Sequence, residues 1–327
     1  MKKVLLLAVF ALAVTTAYAQ QAVINQSGGN QTATITQTGS VNEAYVDQFS
    51  NNGGQNTALV EQTGASNYAN VDQDETGGGG NTPGTFATIQ QVGDDNGMWQ
   101  TANSPGYNSG QTMKALQQGN DNIGVQTIAS GYTERLTLDQ TGHQNNSDQY
   151  MAGGGHNYGD VFQWGDRNVS KQEITGTNEG SGADNVLVKQ VGNDNQAQQV
   201  AAGGGFSQNN NAEIFQNGHG NYANQSGWGT EFFQRITQDG DANSAVTSAT
   251  GHNNYMNIRM ADGGVLQAAQ LGDNNSVTGA GGPGTEGLML NGATAQIAQT
   301  GDLNSLVLNM NAGGNAVVTQ LGDANVA

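Results

Sequence analysis

From Ala33 onward, apolar and polar residues alternate in short runs that stop and restart along the whole chain. In Ala33-Thr34-Ile35-Thr36-Gln37 every second residue is small or apolar until a closing Gln. The same order returns in Ala58-Leu59-Val60-Glu61-Gln62. Period two with one apolar face predicts a β-strand buried on one side. Two positions before each closing Gln the residue is always apolar: Ile35, Val60, Ile89, Ala115, Leu138, Val161, Val188, Ile214, Ile236, Ala268, Ile297 and Val318. Four positions before, the residues from Ala33 to Ala316 are small or apolar, with Gln234 the exception.

Each closing Gln begins the pattern Gln-x-Gly-x-x-Asn. The pattern occurs at Gln37, Gln62, Gln91, Gln117, Gln140, Gln163, Gln190, Gln216, Gln238, Gln270, Gln299 and Gln320, at spacings of 21 to 32 residues. Gly supplies the backbone angles a tight corner needs. After the Asn (Asn42, Asn67, Asn96 in the first three copies) a second alternation starts, with Ala44 and Ala69 two positions on. Four positions on, six consecutive copies carry Gln100, Gln126, Gln149, Gln172, Gln199 and Gln225. A Gly-rich turn such as Gly153-Gly154-Gly155 then ends the unit.

One strand–turn–strand unit cannot bury its own face, so the units must stack. The expected fold is an all-β solenoid of about 12 stacked rungs over residues 20–327. At roughly 4.8 Å per rung it is a rod about 58 Å long. A buried Gln or Asn is costly unless its amide is bonded. In a stack each amide donates to one neighbour and accepts from the other. Gln37, Asn42, Gln62, Asn67, Gln91, Asn96 and the six-Gln run from Gln100 to Gln225 are therefore the candidate stacking and assembly residues.

Composition alone suggests disorder: 35% apolar residues, 50 Gly and no Cys. The periodicity overrides that reading. Residues 1–19 carry Lys2 and Lys3, an apolar run from Val4 to Val14, and Ala17-Tyr18-Ala19. This is the layout of an export signal, with cleavage expected after Ala19. Its removal leaves seven basic against 27 acidic residues. So acidic a chain is a poor ligand for nucleic acid and stays soluble while unassembled.

The span Gln37-Thr38-Gly39-Ser40-Val41-Asn42-Glu43-Ala44-Tyr45-Val46-Asp47-Gln48 resembles the curlin repeat, Gln-x-Gly-x-x-Asn-x-Ala-x-x-x-Gln, and Gln62 to Gln73 fits the same pattern. The curli family is secreted by Gram-negative bacteria and polymerises into amyloid fibres of the biofilm matrix. The resemblance implies a secreted, self-assembling fibre subunit that supports biofilm formation and adhesion. It also implies an outer-membrane secretion pore and related subunits or a nucleator as partners. The family's Ser six positions before the first Gln is replaced here by Gln31, Asn56, Gln111 or Asn157.

Other chemistry is sparse. No nucleophile elbow, P-loop or His-Glu-x-x-His motif occurs, and no enzyme activity or cofactor is expected. A non-polymerising surface adhesin and a carbohydrate-active β-helix enzyme are the competing readings. Asp follows the motif Gly at Asp94, Asp166, Asp241, Asp273, Asp302 and Asp323. The last four read as one column along a single corner, serving turn formation and solvation or else weak calcium binding. His143 and His219 read as three rungs apart, about 14 Å, too far to share a metal. Ala22, Ile24 and Gln26 fit second-strand columns and Ala316 to Gln320 a first strand, so the ends are expected to complement each other head to tail.

Overall fold

The computed structural model describes residues 20–50, 55–75, 84–104, 110–131, 133–153, 156–176, 184–203, 210–279, 288–310 and 313–327. The expected export signal lies outside the described residues. All the regular structure among them is β, in two parallel sheets of 13 and 14 strands, here sheet 1 and sheet 2. The chain alternates between them: Gln21–Gly28 in sheet 1, Thr32–Ser40 in sheet 2, Glu43–Ser50 in sheet 1, and so on. In sheet 2, Ser276–Thr278 and Leu288–Asn291 share one layer, as do Ser305–Val307 and Asn309–Met310, so its strands make 12 layers. The expected solenoid of about 12 rungs is the observed architecture.

Register is kept residue for residue along most of the rod, with a shift at Met151 and Ala152, which pair with Ile128 and Ser130. Leu138 lies between Ala115 and Val161, and Val188 follows Val161. The inward faces of the two sheets meet in one apolar core running from Ala44 to Met310. Gln234, the exception in the apolar pattern, is buried here. It donates to the Ser226 carbonyl at 2.9 Å and accepts from the Thr247 hydroxyl at 3.2 Å.

Corners explain the motif. Gly142 has φ +123°, and a Cβ there would lie 2.0 Å from the Gly165 carbonyl oxygen of the next layer. Only Gly fits, both for its backbone angle and for the closeness of the stack. Two residues later the chain enters the left-handed region, as at Arg167 with φ 56°. A non-Gly residue is tolerated in that region as a single position.

The motif changes corner part-way along the rod, which corrects two sequence expectations. Up to Gln238 each closing Gln sits in sheet 2, and its turn is the first corner, leading to sheet 1. Gln238 then pairs with Met260 of Tyr255–Ala261, whose turn to sheet 1 runs through Ala261, Asp262 and Gly263 without the motif. Gln270, Gln299 and Gln320 consequently lie in sheet 1, and their turns form the second corner. The reason is geometric: both corners are the same arch, so the motif serves either. Ala249-Thr250-Gly251-His252-Asn253-Asn254 is already that arch at the second corner, with φ +119° at Gly251.

Asp273, Asp302 and Asp323 therefore form a second-corner column, and Asp241 belongs to the first corner. The last strand, Asn315–Leu321, lies in sheet 1 beside Thr294–Thr300. That is the sheet of Gln21–Gly28 as well, so the expected first-strand to second-strand complementation of the ends does not hold.

Candidate functional site

The candidate stacking residues fall into continuous columns. In sheet 2, Gln37, Gln62, Gln91, Gln117, Gln140, Gln163, Gln190, Gln216 and Gln238 stack. Each Nε2 donates to the next Oε1 at 2.8 Å. The same Nε2 also reaches a carbonyl of sheet 1, as Gln140 reaches Ile123 at 3.0 Å. Both amide protons are used, which is what makes a buried column of Gln affordable. Met260 ends this ladder, with its sulfur 3.9 Å from Gln238 Nε2.

Sheet 1 holds a second Gln ladder that changes column. Gln26, Gln48 and Gln73 stack in the column nearest the second corner, at 2.7 and 2.6 Å. The six-Gln run then occupies the central column, from Gln100 to Gln126, Gln149, Gln172, Gln199 and Gln225, at 2.8 to 3.1 Å. Gln270, Gln299 and Gln320 return to the first column, at 2.9 and 2.7 Å. In every case Nε2 points toward the C-terminal layer. Orphaned atoms sit at the breaks: Gln100 Oε1 and Gln270 Oε1 at ladder starts, and Gln225 Nε2 at a ladder end.

The Asn ladder runs the other way. Asn67 Nδ2 donates back to Asn42 Oδ1 at 3.1 Å and Asn96 Nδ2 to Asn67 Oδ1 at 3.0 Å; the column continues to Asn243. Asn42 Nδ2 also donates to Gly64 O in the next layer at 3.0 Å. The Asn thus ties the corner of its own layer to both neighbours. At the second corner Asn304 Nδ2 donates to Asn275 Oδ1 and Asn325 Nδ2 to Asn304 Oδ1, while Asn254 Oδ1 accepts from the backbone N–H of Asn275.

A further ladder was not anticipated. The residue after the motif Gly accepts a hydrogen bond from the backbone N–H of its counterpart in the preceding layer. Asp94 N donates to Asn120 Oδ1 at 2.9 Å, Asn120 N to His143 Nδ1 at 3.2 Å, and His143 N to Asp166 Oδ1 at 2.9 Å. Asp273, Asp302 and Asp323 do the same at 2.8 and 2.9 Å. Asp, Asn and His share a short side chain with an acceptor at the right reach, which explains the recurrence of Asp there. His143 and His219 lie three layers apart in this column, with Asp166 and Asn193 between them. Among the described residues no three His, Cys, Asp or Glu side chains gather as the ligands of one metal would.

Outside the columns, Tyr45, Tyr68 and Trp99 form a tilted aromatic row on sheet 1, with ring centroids 5.8 and 5.1 Å apart. Trp164 lies on sheet 2 beneath Lys189, and Trp228 on sheet 1 is exposed. Immediately before their sheet 2 strands, the second corner also buries the acids Glu134 and Asp184, which the sequence pattern did not single out. Their signal was present: they occupy the place six residues before the closing Gln, where Asn56 and Asn157 stand.

A parallel, in-register column of amides is a hydrogen-bonding surface at both of its ends, and this arrangement suits stacking rather than bond-making chemistry. The family model described as the curlin associated repeat matches residues 21–49, from the first strand of sheet 1 through the first Gln-x-Gly-x-x-Asn corner. No curated protein matches the chain.

Proposed function

We propose that this chain, which carries a curlin associated repeat, is a structural subunit that stacks end to end into extracellular amyloid-like fibres. Those fibres support a biofilm matrix and adhesion, and the chain has no catalytic role. The observation that carries the reading is the match between the outermost strands of sheet 1. Ala22, Ile24 and Gln26 of Gln21–Gly28 occupy the same three inward columns as Ala316, Val318 and Gln320 of Asn315–Leu321. A second copy laid on the last layer continues all three columns, and Gln320 meets Gln26. Both outer strands have an unpaired edge among the described residues, the usual template for adding a strand.

On this reading the partners are further copies of the chain, a related subunit or nucleator, and an outer-membrane pore of a Gram-negative bacterium. The test is electron microscopy and fibre diffraction of residues 20–327 held concentrated for days. Fibres with a meridional reflection near 4.8 Å are expected. Monodisperse rods, even when seeded with preformed fibre, would sink the reading and favour a non-polymerising surface adhesin.

A further inference from the structure

Before the motif reaches the second corner, that corner has a buried column of its own. Gln111, Glu134, Asn157, Asp184 and Asn210 occupy equivalent places in successive layers and are fully or almost fully buried. Elsewhere this place is held by neutral side chains such as Asn56 and Thr85, so a carboxyl group here needs a physical account.

The hydrogen-bond inventory around Glu134 supplies one. Asn157 Nδ2 donates to Glu134 Oε1 at 3.2 Å. Among the described residues Glu134 Oε2 has no partner. In the adjacent layer Gln111 donates its Nε2 to Gly131 O at 3.4 Å, and among the described residues its Oε1 has no partner either. The layers are in direct contact, since Thr112 N donates to Glu134 O at 2.8 Å. Two buried acceptors stand orphaned in neighbouring layers, and an ionised Glu134 can satisfy neither. One proton on Oε2 would supply the donor that both lack.

We propose that Glu134 is a proton-binding site: a neutral carboxylic acid whose Oε2–H bridges to Gln111 Oε1 and stands in for a ladder amide, so that forming this corner takes up a proton. A carboxylic acid has the donor and acceptor layout of a Gln side chain with one N–H removed. Asn157, Glu134 and Gln111 then form a continuous chain of donors and acceptors through three layers.

The surrounding charges agree. Burial pushes the Glu134 carboxyl up to about 9, with the charge of Asp184 adding to the effect and the Asn157 amide opposing it. Lys114 and Arg135 stand on the outer face of sheet 2, where Arg135 pairs with Asp160 at 2.8 Å. Asp139 and Asp148 face outward from their sheets, and His156 lies on the exposed side of the corner against Thr133. Among these groups none is a cation turned toward Glu134.

The sign follows from the direction of the shift. An acid whose folded pKa is raised binds more protons folded than unfolded. Its stabilising contribution is complete below the ordinary value of 4.5 and is lost as pH rises through about 9. Across that window the folding equilibrium constant falls by up to about tenfold per pH unit from this group alone.

Two measurements test it on the full mature chain before any fibre forms. Infrared spectra at pH 7 should contain the carbonyl stretch of a protonated carboxylic acid. That band should vanish in Glu134→Gln and shift in Gln111→Leu, where the acceptor is gone. Denaturant midpoints between pH 5 and 9 should fall less steeply in Glu134→Gln, by up to about tenfold in equilibrium constant per pH unit. A parent spectrum at pH 7 with no protonated carboxyl overturns the proposal even if the variant fails to fold. So does a Glu134→Gln protein with the parent's pH slope.

Discussion

Gln238 points its amide at the sulfur of Met260, 3.9 Å away, at the layer where every earlier Gln of that column meets another amide. Met260→Gln should therefore be tolerated. Its Oε1 would take up Gln238 Nε2, and the orphaned donor would move one layer along. The expected change is within about 1 kcal/mol. Gln149→Leu is the contrasting change, because it strands Gln126 Nε2 and Gln172 Oε1 in a buried ladder. It should cost about 2–3 kcal/mol. Lys189→Gln, on the outer face, should cost less than about 1 kcal/mol. Urea midpoints of unassembled protein compare the three. Equal losses for Gln149→Leu and Lys189→Gln would show that the amide column contributes nothing particular.

Gly142→Ala and Gly220→Asn separate the two demands of the corner. At Gly142 a Cβ meets the Gly165 carbonyl oxygen at 2.0 Å, whereas at Gly220 (φ +64°) nothing lies within 4 Å. Gly142→Ala should cost about 3 kcal/mol or more, and Gly220→Asn about 1 kcal/mol or less. Thermal unfolding of the two variants checks the order. The reverse order would place the constraint on backbone angle alone.

His143 is held in the corner by its Nδ1, which accepts the Asn120 N–H at 3.2 Å. His143→Asp keeps an acceptor and should leave stability near the parent's. His143→Ala removes the acceptor and should cost about 0.5–1 kcal/mol. Amide hydrogen exchange at Asn120 reads the bond directly: faster in the Ala variant, unchanged in the Asp variant. Identical exchange in both would remove the ladder from the explanation of the Asp recurrence.

Asp184 supplies a pH prediction of its own. Burial raises its carboxyl from the ordinary 3.8 to about 6, against the opposing hydrogen bonds from Asn210. Its folded pKa is raised, so its contribution is complete below pH 3.8 and is lost as pH rises through about 6. Asp184→Asn should flatten the stability profile between pH 4 and 6 and stabilise the protein at pH 8, on the order of 2 kcal/mol. It also places an amide between Asn157 and Asn210, completing an Asn column. Midpoints at pH 4, 6 and 8 are enough. A variant less stable than the parent at pH 8 would mean that the acid is compensated by a partner.

Much of the rod is legible in the sequence because stacking repeats one local solution many times. The alternation around Ile35, Val60 and Ile89 identifies the strands, and the run from Gln100 to Gln225 identifies a column. The phase of the motif was harder to read. Gln-x-Gly-x-x-Asn encodes an arch, and an arch does not say which sheet precedes it. The trace of the change was the 32-residue gap from Gln238 to Gln270, which is a rung and a half, with Ala249 to Asn254 as a masked copy inside it. The corner acceptors were hidden for a different reason. Asp166, Asn193 and His219 look unrelated by charge and size, and they become equivalent only when each is seen to receive one backbone N–H.

The uniform direction of the Gln columns has a consequence for how two rods can meet. Every Gln column starts with a carbonyl oxygen and finishes with an NH2 group, and the Asn columns are reversed. Two like ends pressed together would set oxygen against oxygen in one column and NH2 against NH2 in the other. Only unlike ends mate in both at once. The rod is therefore a vector, and a polymer of it would have two chemically distinct tips. Their growth rates need not be equal, and no mirror-paired junction between them would persist.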